Sequence, residues 1–146
     1  MPHVTLPISA SGPVVDLVIG VSLPRARALR AAKQPIPSPV KIQGLIDTGA
    51  SGTCVDPACI ARLGLVPTGQ AIIHTPSTGD RPHPCAQYDV SIVLLHPGVT
   101  LTIPVVPVIE AALSRTQGFQ ALIGRDVLAR CLFVYDGASE TFSLAF

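Results

Sequence analysis

Apolar and polar positions alternate over short stretches, and the chain reads as strands broken by turns. Val4 to Ile8 and Val14 to Val21 are β-branched runs on either side of Ser11-Gly12-Pro13, which predicts an opening pair of strands forming a hairpin or an edge ribbon. Val40 to Ile46 predicts a strand ending in a tight polar loop, Asp47-Thr48-Gly49-Ala50-Ser51-Gly52, after which Thr53 to Val55 resumes an extended path. Ala71 to His74 and Gln87 to Leu95 predict a protruding hairpin with Pro76-Ser77-Thr78-Gly79-Asp80 as its turn. Val99 to Ile109 alternates and then runs apolar, and Pro104 and Pro107 argue for a sheet edge or a short strand. Ala121-Leu122-Ile123 predicts a buried strand that stops at Gly124, and Leu132 to Tyr135 and Thr141 to Phe146 close the chain around the Asp136-Gly137 turn. The expectation is about eight or nine short strands, an all-β chain.

One to three short helices interrupt this pattern. Pro24 to Lys33 is rich in Ala and Arg and stops at Pro35, Pro37 and Pro39, so residues 24–39 form a helical and Pro-rich insert. Its Arg25, Arg27, Arg30 and Lys33 fit a solvated helix face better than a mark for an acidic partner, and the insert is assigned no chemistry. Asp56 as N-cap with Pro57 at the first helical position starts a second helix that Gly64 ends. A third is expected around Val127 to Arg130.

Composition narrows the class. With 48% hydrophobic and 13% charged residues the chain is too apolar for disorder, and 146 residues fit a single domain spanning 1–146. A formal charge of +1 gives no basic excess for nucleic acid or an anionic membrane, so neither partner is expected. No apolar run approaches the roughly 20 residues of a membrane span. Met1-Pro2-His3 lacks a secretory pattern, which points to the cytoplasm and to Cys54, Cys59, Cys85 and Cys131 as reduced thiols.

The chemistry concentrates at Asp47. A carboxylate placed directly after a buried strand loses several kcal/mol of hydration unless hydrogen bonds replace it. Gly49 lets the backbone turn amide hydrogens toward that carboxylate, and the Thr48 hydroxyl can hold the turn. An ordinary Asx turn is the alternative reading of Asp47, and a plain surface turn fits Ser77, Thr78 and Gly79 as well as a functional hairpin does. Gly44-Leu45-Ile46-Asp47-Thr48-Gly49 and Ala121-Leu122-Ile123-Gly124 are both apolar strands entering a glycine turn, an internal echo that suggests two similar halves facing each other.

Leu45-Ile46-Asp47-Thr48-Gly49-Ala50, followed much later by Ala121-Leu122-Ile123-Gly124-Arg125-Asp126, resembles the retropepsin-like aspartic proteases over roughly residues 40 to 146. The resemblance implies a closed acid-protease barrel, a single pepsin-like half. It also implies a homodimer in which Asp47 of each subunit activates water to hydrolyse a peptide or protein substrate, with no cofactor. Thr48, Gly49, Ala50 and Ser51 would form the active-site loop, with Thr48 bonding across the dimer and Gly49 offering its carbonyl to peptide. Ser77, Thr78 and Gly79 would be the flap, and Gly124, Arg125 and Asp126 would support the loop. The family arginine normally braces an acid shortly after Asp-Thr-Gly. Here Ser51 stands at that position and no acid follows until Asp56, which leaves open whether Arg125 bonds Asp126, a backbone carbonyl or nothing. In the family the chain termini interleave in a dimer sheet, so Thr141 to Phe146 is expected either there or paired within its own subunit.

Other chemistries fit poorly. His74, His83, Cys85, Cys54 and Cys59 lack the spacing of a closed zinc site, so no metal is expected. Gly49-Ala50-Ser51-Gly52-Thr53 lacks the last glycine of a serine-hydrolase elbow, and no P-loop is present. The competing functional class is a non-cleaving peptide-binding or assembly module on the same fold.

Overall fold

A computed structural model describes residues 1–74, 81–113 and 117–146. These carry β1 (His3–Pro7), β2 (Val14–Val21), α1 (Leu23–Ala31), β3 (Val40–Ile46), β4 (Thr53–Val55), α2 (Pro57–Arg62), β5 (Gly69–Ile73), β6 (His83–His96), β7 (Val99–Glu110), β8 (Ala121–Ile123), α3 (Arg125–Leu128), β9 (Leu132–Asp136) and β10 (Thr141–Ala145). Alternation along the strands decides which way each side chain faces. In β2, Val15, Leu17 and Ile19 are buried, and they meet Ile42, Ile92, Ile103, Val108 and Ile123 in one core. Burying each such side chain stabilises the fold by roughly 1.5–3 kcal/mol relative to exposure.

The strands close on themselves. The order β2-β3-β8-β4-β7-β6 returns to β2 through a β2–β6 ladder, giving a six-stranded barrel, and β5 adds to the outside of β6. Closure removes the open edges that would otherwise recruit other chains. A second sheet, β1-β10-β9, packs Val4, Phe142 and Leu144 against the barrel core, with the Phe133 and Phe142 rings 6.1 Å apart.

One local expectation changes and two are made specific. β1 does not pair with β2; its register is His3↔Ala145 through Pro7↔Thr141, a partner at the far end of the chain. β7 is twelve residues long rather than short; it pairs with β6 along its length and with β4 only at Val108–Glu110, so Pro104 and Pro107 lie on a sheet edge as expected. It tolerates proline because β4 covers only Val108–Glu110, leaving Pro104 and Pro107 where the ladder runs on one side, and because the register slips between Val90 and Ile92. β10 is the centre of its sheet, with β1 and β9 on its two sides, so its hydrogen bonds are made within one subunit.

The helices start as their caps dictate. The Ser22 hydroxyl accepts from Arg25 N at 3.4 Å, and Asp56 accepts from Ala58 N at 3.0 Å. Only Leu29 of α1 is buried, so that helix stands largely free of the body. No helix among the described residues is long and apolar enough to cross a membrane.

Candidate functional site

Two parallel strands bring the site together. β3 and β8 lie side by side as Gly44↔Ala121, Leu45↔Leu122 and Ile46↔Ile123, so the two echoing segments are in register. Gly44 makes this approach possible, because a Cβ there would come within 2.9 Å of Leu17 and 3.0 Å of Ile123. The chain leaves β3 at Asp47, whose N–H donates to Ile123 O at 3.0 Å, and turns back as Ala50 N–H donates to Asp47 O at 3.2 Å. Within that turn the Gly49 N–H donates to Asp47 Oδ1 at 2.9 Å. Asp47 Oδ2 accepts no hydrogen bond from the described residues. Asp47 is half-buried and Thr48 and Gly49 are exposed, so the carboxylate is held in place yet open to solvent.

Arg125 grips the loop from the other strand. Its N–H donates to Ala50 O at 3.0 Å, and its Nη1 donates to Thr48 O at 2.8 Å and Gly49 O at 3.1 Å. Two successive carbonyls, Thr48 O and Gly49 O, therefore take the guanidinium in place of the missing acid, which answers the question left by Ser51. Ser51 itself is exposed and joins no hydrogen bond among the described residues.

Asp126 locks the return strand. Its Oδ2 accepts from Thr53 N at 3.1 Å, and its Oδ1 accepts from Thr53 Oγ1 at 2.8 Å and Val127 N at 2.9 Å. Thr53 Oγ1 in turn accepts from Gly124 N at 3.1 Å. Gly124 lies directly against the Gly52 backbone, where a Cβ would sit 2.5 Å from the Gly52 carbonyl carbon. Asp47, Thr48, Gly49, Ala50, Gly124, Arg125 and Asp126 thus form one connected unit. Ser77, Thr78 and Gly79 lie outside the described residues; the strands leading toward them pair as Ile73↔His83.

Sequence reasoning missed Thr53 and read Cys54 as a reduced thiol. Thr53 is fully buried, and its hydroxyl links Gly124 to Asp126. The available signal was a hydroxyl residue opening an otherwise apolar strand. Cys54 is half-buried between Leu122 and Ile109, its partners on β8 and β7. Burial pushes its thiol pKa up, and the charges of Cys85, Asp126 and Asp47 add to that shift. An apolar cavity of about 220 Å³ lies elsewhere, where Val4, Leu6, Val15, Leu94 and Phe146 meet between the two sheets.

The profile of a family described as aspartyl protease matches residues 38–127. No curated protein sequence matches the chain. Among solved structures the fold is similar to a retropepsin-like aspartic protease from Rickettsia conorii, with a TM-score of 0.58 at 17% identity, covering 98% of this chain and 90% of that one. It is also similar to the aspartic proteinase from Irpex lacteus, with a TM-score of 0.55 at 17% identity, covering 99% of this chain and 47% of that one.

Proposed function

The chain belongs to the aspartyl protease family, and from that premise we propose that it is an endopeptidase whose catalytic residue is Asp47, contributed once by each subunit of a homodimer. The observation that carries this reading is the state of Asp47: one oxygen is oriented by the Gly49 N–H, and the other is open beside an exposed Thr48-Gly49 turn. Water activation in this class needs two carboxylates, and one chain supplies a single Asp-Thr-Gly. Two such groups about 3 Å apart cannot both ionise, so one keeps a proton and polarises the scissile carbonyl while the other takes a proton from the attacking water. The resulting pKa values belong to the pair. Thr48 bonds its counterpart across the twofold axis, and Gly49 O, which keeps a second lone pair beside the Arg125 bond, accepts from the peptide. The hairpin carrying Ser77, Thr78 and Gly79 closes over the substrate.

Arg125, Gly124 and Asp126 act on the reaction only through the loop they hold. Ala50 offers no hydroxyl to the charged dyad, and activity is expected to extend from mildly acidic to near-neutral pH. The test compares wild type with Asp47→Asn on a mixed peptide library, with and without pepstatin, alongside sedimentation of both proteins. Cleavage by a dimeric wild type that is lost in Asp47→Asn supports the assignment. Equal peptide profiles for the two would leave the non-cleaving binding module, and a monomeric wild type that still cleaves would remove the shared-dyad mechanism.

A further inference from the structure

The charge of this chain is unevenly distributed. Residues 22–39 hold Arg25, Arg27, Arg30 and Lys33 and no acid, which leaves six cations against nine acids, a charge of −3, on the rest. α1 carries these groups outward: all four are exposed, and only Leu29 ties the helix to the body. Within the described residues the sole ion pair is Lys41–Asp16 at 3.6 Å, so none of the four has a carboxylate partner. Beside the helix lies an open groove of about 320 Å³ between Arg25 and the Leu65–Thr68 segment that leads into β5; Val66 on its wall is 69% exposed, and Asp89 also lines it, so the positive charge is concentrated on the outer face of α1 and not in the groove.

From this we propose that the basic outer face of α1, Arg25, Arg27, Arg30 and Lys33, is a docking surface for an acidic segment of the protein substrate, outside the cleft. The inference rests on the endopeptidase reading for what the partner is. The helix sits where β2 passes to β3, and Asp47 is at the opposite end of β3, about 23 Å away at roughly 3.3 Å per residue. A substrate engaging both places has its acidic stretch several residues from the bond that is cut. An anionic membrane is disfavoured because Leu29 is directed into the body, and the exposed apolar side chains nearby, Leu23 at the helix start and Val66 on the groove, do not make the continuous apolar face that lipid requires. Nucleic acid is disfavoured because α1 carries no aromatic side chain to stack on bases. Charge complementarity at such an exposed site acts on encounter and on KM, with little effect on the chemical step.

The test uses a cleavable neutral peptide with and without a run of glutamates joined by a flexible spacer. Wild type is compared with Arg27→Glu/Arg30→Glu and with the milder Arg27→Gln/Arg30→Gln, all with matched unfolding midpoints. The expected result is a KM about tenfold lower for the acidic peptide in wild type, with equal kcat. That advantage disappears in the double reversal, falls partway in the neutral pair, and fades between about 0.1 M and about 1 M salt as the screening length drops from about 10 Å to about 3 Å. An advantage that survives the double reversal, or that wild type never shows, overturns the proposal. Fluorescence anisotropy of the same labelled peptides on Asp47→Asn separates the two readings, since it needs no turnover. Binding that depends on α1 without any cleavage by wild type would retain the surface and remove the endopeptidase. Tighter α1-dependent binding of an RNA oligonucleotide or of phosphatidylserine vesicles than of the acidic peptide would overturn the choice of partner.

Discussion

The contact between Gly124 and Gly52 allows a test in which the same interface is altered from its two sides with opposite outcomes. Gly124 is extended (φ −85°, ψ −179°), so alanine would meet no backbone strain there. Its Cβ, however, would lie 2.5 Å from Gly52 C and 2.6 Å from Gly52 O. Carbon atoms pack comfortably at about 3.5–4.0 Å, so one backbone segment must move by about 1 Å. Overpacking of this kind costs about 1–3 kcal/mol. The movement also stretches two hydrogen bonds anchored at this point, Gly124 N to Thr53 Oγ1 and Arg125 N to Ala50 O, each worth about 1 kcal/mol. Gly124→Ala is therefore expected to lose about 2–4 kcal/mol, and at about 2–4 °C per kcal/mol its midpoint falls by roughly 5–15 °C. A Cβ on Gly52 meets nothing within 4 Å, and its φ is outside the left-handed region. Gly52→Ala is expected to be neutral or to gain about 0.4–1 kcal/mol through a less flexible unfolded chain. Urea unfolding of the two variants beside wild type measures the difference. Equal midpoints for the two alanine variants would refute the claim that Gly124 is there to admit the Gly52 backbone.

Three further outcomes follow from the same structure. Thr53→Val removes the hydroxyl that both donates to Asp126 and accepts from Gly124, leaving the buried Gly124 N–H unpaired and Asp126 with two of its three donors, so it should lose about 1–3 kcal/mol, whereas Thr53→Ser should lose about 1 kcal/mol or less; chemical denaturation checks the order. Burial raises the thiol pKa of Cys54, Cys59 and Cys131, so the folded chain keeps protons that the unfolded chain releases. This contribution is complete below about pH 8.5 and is lost as pH rises toward the folded values; denaturation at stepped alkaline pH should show it, and replacing the three by alanine should flatten the slope. Phe142→Ala empties a 1% exposed position in the centre of the terminal sheet and should cost about 3–5 kcal/mol, read as a lower thermal midpoint in each subunit whether or not the protein is dimeric.

Legibility in the sequence followed the range of the interactions involved. The Asp47 loop and the stop at Gly124 could be read locally, because turn chemistry depends on a few adjacent residues. The echo between Gly44 to Gly49 and Ala121 to Gly124 even anticipated that the two segments face each other, and they pair in parallel register. The partner of β1 was not legible, since nothing near His3 encodes a ladder with Ala145. The prolines of β7 marked the stretch that has a strand on one side only, but they carry no record of the strand that joins the other side at Val108 to Glu110. The acceptors of Arg125 were left open for a related reason: carbonyl oxygens are the same at every residue, so a brace made to backbone leaves no side-chain signature. Thr53 escaped notice because its role depends on two partners more than seventy residues away.

The hydrogen bonding around the loop divides labour among its carboxylates. Asp126 sits next to the same turn as Asp47, yet both of its oxygens are engaged by donors from its own subunit, three bonds in all. Three of its roughly four acceptor positions are taken within the chain, so its place is in the framework. Asp47 takes one N–H on one oxygen, enough to fix its orientation while leaving the other oxygen for a reacting partner. Arg125 follows the same pattern, since its bonds to Thr48, Gly49 and Ala50 are all made within the chain that carries the loop. Each chain can therefore complete its loop alone, and the proposed association would add the second carboxylate and the bond between the two Thr48 side chains. Loop formation and assembly become separable on this argument. Asp47→Asn, which keeps an oxygen to accept from Gly49 N–H, should fold with the wild-type midpoint while losing turnover, and an Asp47→Asn protein that failed to fold would show that the loop depends on the charge it displays.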